Sequence, residues 1–502
     1  MAVRVKMVAV AGAAGVATAL LASPGLPARA GGANPGAGAA ITVNVDAAEH
    51  GRAINRNLVG VNQSVPAGVP AMQAIGPRWA RIDASLEASY DCQHGTWDPS
   101  PLDSRVALAR QEGAEPEVLV SYTPACLATG GPPGGNPNYS PPDPKRWVPL
   151  VHEMALHEIG AGVTTFEVWN EPDGFFWTGT LADYLKLYEE TAAAITDAAR
   201  HVGRGVAVHI GGPALTFPDP PWIEALLDDA DRNHLPLDFL SWHYYANYPL
   251  VGPVGPIPAP PKGTPPAWYN PLTRAQTFGQ QVAQVRAEVA RHPALHPLLW
   301  LDEWNLDAGY DPRHDGSYDA ALAAAVLDSL QQSGLDRSCF FRVADDAPGT
   351  LGNWGLLFSG ASNFAPKPVY SAFRFWHQAA GDSLPVALPP GEDAADPVGR
   401  VGAVASADRG RRALSVLVYN FVPFDPTGQD GASPPTPYDH SVVVSVSGLA
   451  PGRYSLERQL VDGSHGGETV EHAAVDAGAD GRLSVPFTLA GDGVTLIRMA
   501  RP

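Results

Sequence analysis

Cysteine is scarce, with only Cys92, Cys126 and Cys339 in 502 residues. Three thiols allow at most one internal bridge, and none has zinc-type spacing, so no metal site and no cofactor are expected. Basic residues are also short: 33 Lys and Arg stand against 52 Asp and Glu, for a formal charge of −19. A chain this acidic is a poor partner for nucleic acid or an anionic membrane, and the acidity reads as solubility. Beyond the first thirty residues no apolar run is long enough to span a bilayer. Internal repeats are missing as well, which sets aside solenoids and propellers.

What is present begins with an export signature. Arg4 and Lys6 form a basic start, residues 7–21 are rich in Ala, Val and Leu, and Ala28-Arg29-Ala30 is an A-x-A cleavage site. Residues 1–30 are read as a signal peptide and 31–40 as a Gly/Ala/Pro linker, so a secreted, extracellular protein is expected. Cleavage takes away three basic residues and moves the formal charge from −19 to −22. The remaining length suits one domain of about 250 residues or more and a smaller companion.

Eight short apolar segments then alternate with helical stretches: 58–62, 79–83, 118–122, 163–169, 206–210, 239–243, 298–303 and 339–343. Leu181, Tyr184, Leu185, Tyr188, Ala192 and Ile195 share one helical face, and Thr180 with Asp183 forms a capping-box pattern. Tyr318, Leu322, Ala325 and Leu330 mark a second such helix. Eight strands with intervening helices predict an α/β fold, a (β/α)8 barrel over residues 41–384, with 41–46 a possible strand of the second domain. Long loops at 128–144 and 247–271 are expected to shape its mouth. From 398 to 502 the pattern is strand and turn only, which predicts an all-β sandwich joined by a linker near 385–397. As a packed appendage it needs no ligand.

Two of these strands end in a glutamate. Phe166-Glu167-Val168-Trp169 runs into Asn170-Glu171-Pro172, and Leu298-Leu299-Trp300-Leu301 runs into Asp302-Glu303-Trp304-Asn305. Proline stops the ladder, which leaves Asn170 and Glu171 at a strand mouth. Barrel active sites lie at that end, and two facing carboxyls are what a retaining glycosidase needs. Glu167, four residues earlier, lies roughly 13 Å deeper at ~3.3 Å per residue, and is read as a buried hydrogen-bonded carboxyl. Cys92 and Cys126 follow the second and third strands, neighbours in a barrel, so a Cys92–Cys126 disulfide is expected in an exported chain. Cys339, in an apolar segment, is expected to be a buried free thiol.

These residues resemble glycoside hydrolase family 39, the β-xylosidase and α-L-iduronidase family of a retaining (β/α)8-barrel clan. The resemblance runs from the first strand to the sandwich. It is carried by 166–172, Asp302-Glu303-Trp304-Asn305, His243-Tyr244-Tyr245 and Lys367-Pro368-Val369-Tyr370. It implies Glu171 as acid/base, Glu303 as nucleophile, and Asn170 as partner of the sugar 2-hydroxyl. It also places His243, Tyr245 and Arg81 at the substrate. A cation at Arg81 and a donor at Tyr245 would favour the ionised nucleophile, and the acid wants few cations nearby. Asp83 stands where the family usually has histidine, and Trp304 where xylosidases tend to have tyrosine. Trp304 and Trp354 are the tryptophans expected to touch sugar. The expected activity is retaining hydrolysis of a glycoside derived from an oligosaccharide or polysaccharide, with an exo-acting pentosidase ahead. A uronidase, an endo-acting glycanase and a non-catalytic carbohydrate-binding protein are the alternatives.

Overall fold

The computed structural model describes residues 40–131, 134–203, 205–246, 275–308, 311–347, 352–379, 381–389, 400–421 and 439–501. The expected signal peptide, most of the 31–40 linker and the 247–271 loop lie outside them.

Eight parallel strands close a barrel: β1 (Gly60–Asn62), β2 (Trp79–Asp83), β3 (Glu115–Val120), β4 (Thr165–Val168), β5 (His209–Leu215), β6 (Phe239–Tyr245), β7 (Leu298–Asn305) and β8 (Arg337–Phe340). Each pairs with the next in sequence, and Phe340 opposite Val61 joins β8 to β1. Such strands are covered on both faces, which is why they read as apolar runs rather than alternating ones.

Boundaries moved where glycine or proline misled. Leu58 belongs to a short 3-10 turn, Arg56–Leu58, and not to β1. The fifth strand starts at His209, because Val206 is exposed and Gly211-Gly212-Pro213 lies inside the strand. A Cβ on Gly211 would sit 2.4 Å from the Phe239 carbonyl, so that glycine permits close strand approach.

Helices follow the strands on the outside. Leu181–Val202 opens on Thr180, whose hydroxyl accepts from the Asp183 N–H while the Asp183 carboxylate returns a bond to the Thr180 N–H. Tyr184, Tyr188, Ala192 and Ile195 of its inner face are buried. Ser317–Ser333 and Pro368–Gln378 complete the ring beside β7, β8 and β1.

The second domain has two sheets. One runs Val386–Ala387, Ile41–Asp46, His440–Ser447, Leu483–Leu489; the other runs Asp382–Leu384, Arg400–Ala407, Ala413–Phe421, Val494–Ala500, Gly452–Val461, Gly466–Ala477. Ile41–Asp46 therefore pairs within the sandwich, and part of the stretch read as a linker is a strand beside it. Gly466–Ala477 escaped the sequence reading because it is an edge strand, largely polar, opening on two glycines. Leu417, Val461 and Leu496 join the barrel's apolar core, and the Tyr419 hydroxyl donates to Asp328 of Ser317–Ser333 at 2.9 Å. Cys92 and Cys126 form a disulfide with Cα atoms 5.8 Å apart, and Cys339 is buried and free. Among the described residues no helix is long and apolar enough to cross a membrane.

Candidate active site

The site sits where β2, β4, β6 and β7 end. After β4 the chain turns sharply: Trp169 and Glu171 have φ of 72° and 46°, a left-handed conformation that side chains adopt only when neighbours enforce it. Three contacts do so. The Glu171 N–H donates to the Ala214 carbonyl at 2.8 Å, and the Trp169 indole to the Phe176 carbonyl at 3.0 Å. Asp173 accepts from the Thr216 N–H and hydroxyl, at 2.9 and 2.7 Å. Glu171 is thereby aimed over the barrel mouth on a short, tied loop.

Glu303 arrives from β7 through an irregularity. Leu301 pairs with Trp242 and Glu303 with His243, so Asp302 is an extra residue in β7 relative to β6. In a regular strand Asp302 and Glu303 would face opposite sides; a bulge lets both face the barrel axis. A carboxylate oxygen of Glu303 lies within 4.8 Å of one of Glu171 and of a His243 ring nitrogen.

The surroundings of the two glutamates differ. Arg81 donates to Glu303 at 3.2 Å, to Glu167 at 2.7 Å and to the Asn170 side-chain oxygen at 2.9 Å. The Tyr245 hydroxyl also donates to Glu303. Glu171 faces no cation so directly; it contacts His243 Nδ1 at 2.8 Å. Burial pushes the Glu171 carboxyl up to about 7, with Arg81 pulling the other way. Burial lowers His243 to about 4, so the ring is neutral near pH 7 and leaves Glu171 as the proton carrier. Burial also raises Asp173 to about 8, against its Thr216 bonds. Glu171, His243 and Glu303 are gathered within 4.8 Å of one another, and Arg81 holds Glu303.

Arg81, Asn170, His243 and Tyr245 thus gather with the two glutamates. Asp83 stands one step away: its carboxylate accepts from the Ser85 N–H at 2.7 Å and the Ser121 hydroxyl at 3.3 Å. Burial, then nearby Glu87, raises it to about 6. Trp304 is a correction. Having passed the bulge, it points away from the axis and is wholly buried among Phe278, Phe340 and Phe373. It cannot touch a sugar. Trp354 is half-buried beside Phe341, with their centroids 5.6 Å apart. Glu167 lies fully buried under Arg81.

The sequence reading missed an aromatic wall on the acid's side. Tyr122, at the end of its third strand segment, receives the Asn170 amide at 3.0 Å and stacks on Phe176 at 5.8 Å. Tyr139, from the expected mouth loop at 128–144, meets Phe175 and Phe176 edge-on. Phe175, four residues past Glu171, is 69% exposed. The Phe175-Phe176 pair right after Asn-Glu-Pro was the signal available.

A close pair of carboxyls at the ends of strands 4 and 7 of a (β/α)8 barrel is the arrangement of a glycosidase scaffold. Residues 93–423 match the profile of glycosyl hydrolases family 39, and the chain belongs to that family. It is 34% identical over 155 residues to a β-xylosidase of Caldicellulosiruptor saccharolyticus, covering 29% of this chain and 30% of that one. It is 29% identical over 328 residues to a β-xylosidase of Geobacillus stearothermophilus, covering 61% and 60% respectively. The matches thus span 30% and 60% of the lengths of these curated relatives. A glucosidase structure from Croceicoccus marinus superposes with a TM-score of 0.70 over 92% of this chain and 99% of that one. At 18% identity that likeness shows the fold alone.

Proposed function

We propose that the protein is a secreted, retaining glycoside hydrolase, exo-acting and of β-xylosidase type on a neutral pentoside. The observation that carries this reading is the close approach of Glu171 and Glu303 in opposed surroundings. Oxygens within 4.8 Å leave no room for the water that an inverting enzyme places between its carboxyls. Glu303, held by Arg81 and Tyr245, attacks the anomeric carbon. Glu171 donates its proton to the leaving oxygen, and a covalent glycosyl-enzyme forms. Glu171 then takes a proton from the incoming water, and Glu303 leaves with the configuration restored. Asn170, ordered between Arg81 and Tyr122, is placed to hold a sugar hydroxyl. The pentoside preference draws on the two β-xylosidases among its relatives, and export on the sequence of residues 1–30.

An aryl glycoside panel of pentosides, hexosides and uronides in both anomers tests the substrate. NMR of the first-formed sugar tests the stereochemistry, with retention expected and inversion refuting the double displacement. Glu171→Ala should spare the first step with a dinitrophenyl glycoside and regain turnover with azide, giving a glycosyl azide of retained configuration. Glu303→Ala should be inactive on all of them, and azide should give the inverted product. If neither substitution loses more than about tenfold, below the ~10²–10⁴ of positioned acid–base catalysis, these glutamates are not catalytic.

A further inference from the structure

Asp302, the residue that the β7 bulge turns inward, is almost fully buried; its carboxyl is hydrogen-bonded to Glu167 and its Oδ2 lies 3.4 Å from Arg81 Nε, while its Oδ1 has no hydrogen-bond partner. Its Oδ1 faces His243 Nε2 at 3.8 Å, and that nitrogen also lacks a partner. Two buried orphan polar atoms that face each other are each other's natural partners, because leaving either unmet costs its full desolvation. The opposite nitrogen of the same ring contacts Glu171 Oε1 at 2.8 Å. A single imidazole therefore lies between Asp302 and Glu171.

The charges around this bridge fix who carries protons. Facing Asp302 are Arg81 from β2, Glu117 from β3, Glu167 from β4, His243 from β6, and Cys339 from β8, with Glu303 beyond Arg81. Arg337 of β8 faces Glu117. Around Glu171 stand Arg81, Asp173, Tyr122, His243 and Glu303. Glu117, Glu167 and Asp302, with oxygens within 4.8 Å of one another, outnumber the two guanidiniums, so not all three ionise. Burial pushes Glu167 up, but Arg81 together with hydrogen bonds from Asp302 and Ser241 outweighs it and holds that carboxyl below its usual value. Burial, then Glu167, pushes Asp302 well above the carboxylate range, and raises Glu117 to about 8. Asp302, like Glu117, is held neutral near pH 7. Its proton turns toward Glu167, and its carbonyl oxygen is left for His243.

We propose that Asp302 is a positioning residue for the acid/base step. By accepting the Nε2–H of His243 it fixes the tautomer whose Nδ1 lone pair faces Glu171. Before reaction, protonated Glu171 donates to that lone pair. Once the proton has left with the aglycone oxygen, the lone pair opposes the new carboxylate and raises its affinity for a proton from water. The same tautomer serves both half-reactions, and no proton passes through Asp302. The inference rests on Glu171 being the acid/base.

Two variants test it. Asp302→Asn mimics the neutral acid, with a carbonyl toward His243 and an amide toward Glu167, and should keep the wild-type pH profile of kcat/KM. Asp302→Leu removes the acceptor, lets Nδ1–H form and stabilises the Glu171 carboxylate. Its basic limb should move ~1 unit toward acid. At pH 7 it should lose about fivefold on a poor leaving group, as the protonated fraction of Glu171 falls, and much less on a dinitrophenyl glycoside. Nitrogen-15 NMR of histidine-labelled protein, with His243 assigned by its loss in His243→Gln, should show Nε2–H in the wild type at pH 5. Nδ1–H in the wild type would overturn the proposal. So would Asp302→Asn shifting as Asp302→Leu does, or an Asp302→Leu profile identical to wild type. If Asp302→Leu does not fold, the wild-type tautomer and Asp302→Asn still decide. The tautomer is read without turnover, so a wild type that cleaves no glycoside would refute the glycosidase reading and leave this readout standing.

Discussion

Glu171→Gln isolates what the burial of one carboxyl costs the fold. The glutamate is lifted from 4.5 to about 7 by burial, and its side chain keeps only 12% exposure. A folded-state value above the unfolded one means the native protein binds the extra proton. Stability is then full below pH 4.5 and falls as pH rises toward 7, where the unfolded chain gains by ionising first. At pH 5 the penalty is ~1 kcal/mol and at pH 8 it is ~3 kcal/mol, from about 1.36 kcal/mol per pH unit between the two values. Glutamine has the same shape, still offers a donor to His243 Nδ1, and never ionises. The variant should therefore match wild type near pH 4.5 and exceed it by roughly 2 kcal/mol more at pH 8 than at pH 5. Denaturant midpoints at both pH values, with the slope unchanged, give the comparison. The gain should accompany a loss of ~10²-fold or more on poor leaving groups, which a harmless surface substitution would not show. A stability difference independent of pH, or one that narrows as pH rises, would refute the claim that this carboxyl is held protonated.

Three further expectations follow from the same contacts. Arg81→Leu strands Glu167 and Glu303 and should cost about 3–5 kcal/mol as well as activity; Arg81→Lys should not rescue it, because three partners need the guanidinium fork, and unfolding with kinetics would show both. Phe175→Ala should leave unfolding unchanged, since the ring is 69% exposed, yet raise KM for aryl glycosides by about 2–10-fold, in line with ~0.5–1.5 kcal/mol of stacking; an unchanged KM would detach the aromatic wall from the leaving group. Thiol titration of unfolded, unreduced protein should find one thiol, Cys339, and Cys92→Ser with Cys126→Ser should cost about 3–4 kcal/mol for a 34-residue separation; three thiols would remove the bridge.

The order of elements was written in the chain because it depends on local pattern. Apolar runs of strand length, helical spacing from Leu181 to Ile195, the Thr180–Asp183 cap and the strand-ending glutamates follow from backbone geometry that neighbours only confirm. Ala128 to Pro144 could be read as a mouth loop from its breakers, but not as the carrier of Tyr139 toward Phe175. What the tertiary structure decided was direction. The facing of residues along β7 depends on one extra residue that is visible only against β6. That offset turned Asp302 inward beside Glu303, while Trp304, expected to touch sugar from its place at a strand end, lies in the helix layer. Arg81's three partners come from β4, the turn after it and β7, so its role too exists only once the barrel closes. The opposed settings of Glu171 and Glu303 arise in the same way. Both are glutamates at strand mouths in the sequence; burial around Glu171 and the reach of one guanidinium to Glu303, each set by strands distant in the chain, give the two carboxyls the different surroundings that the proposed acid and nucleophile roles need.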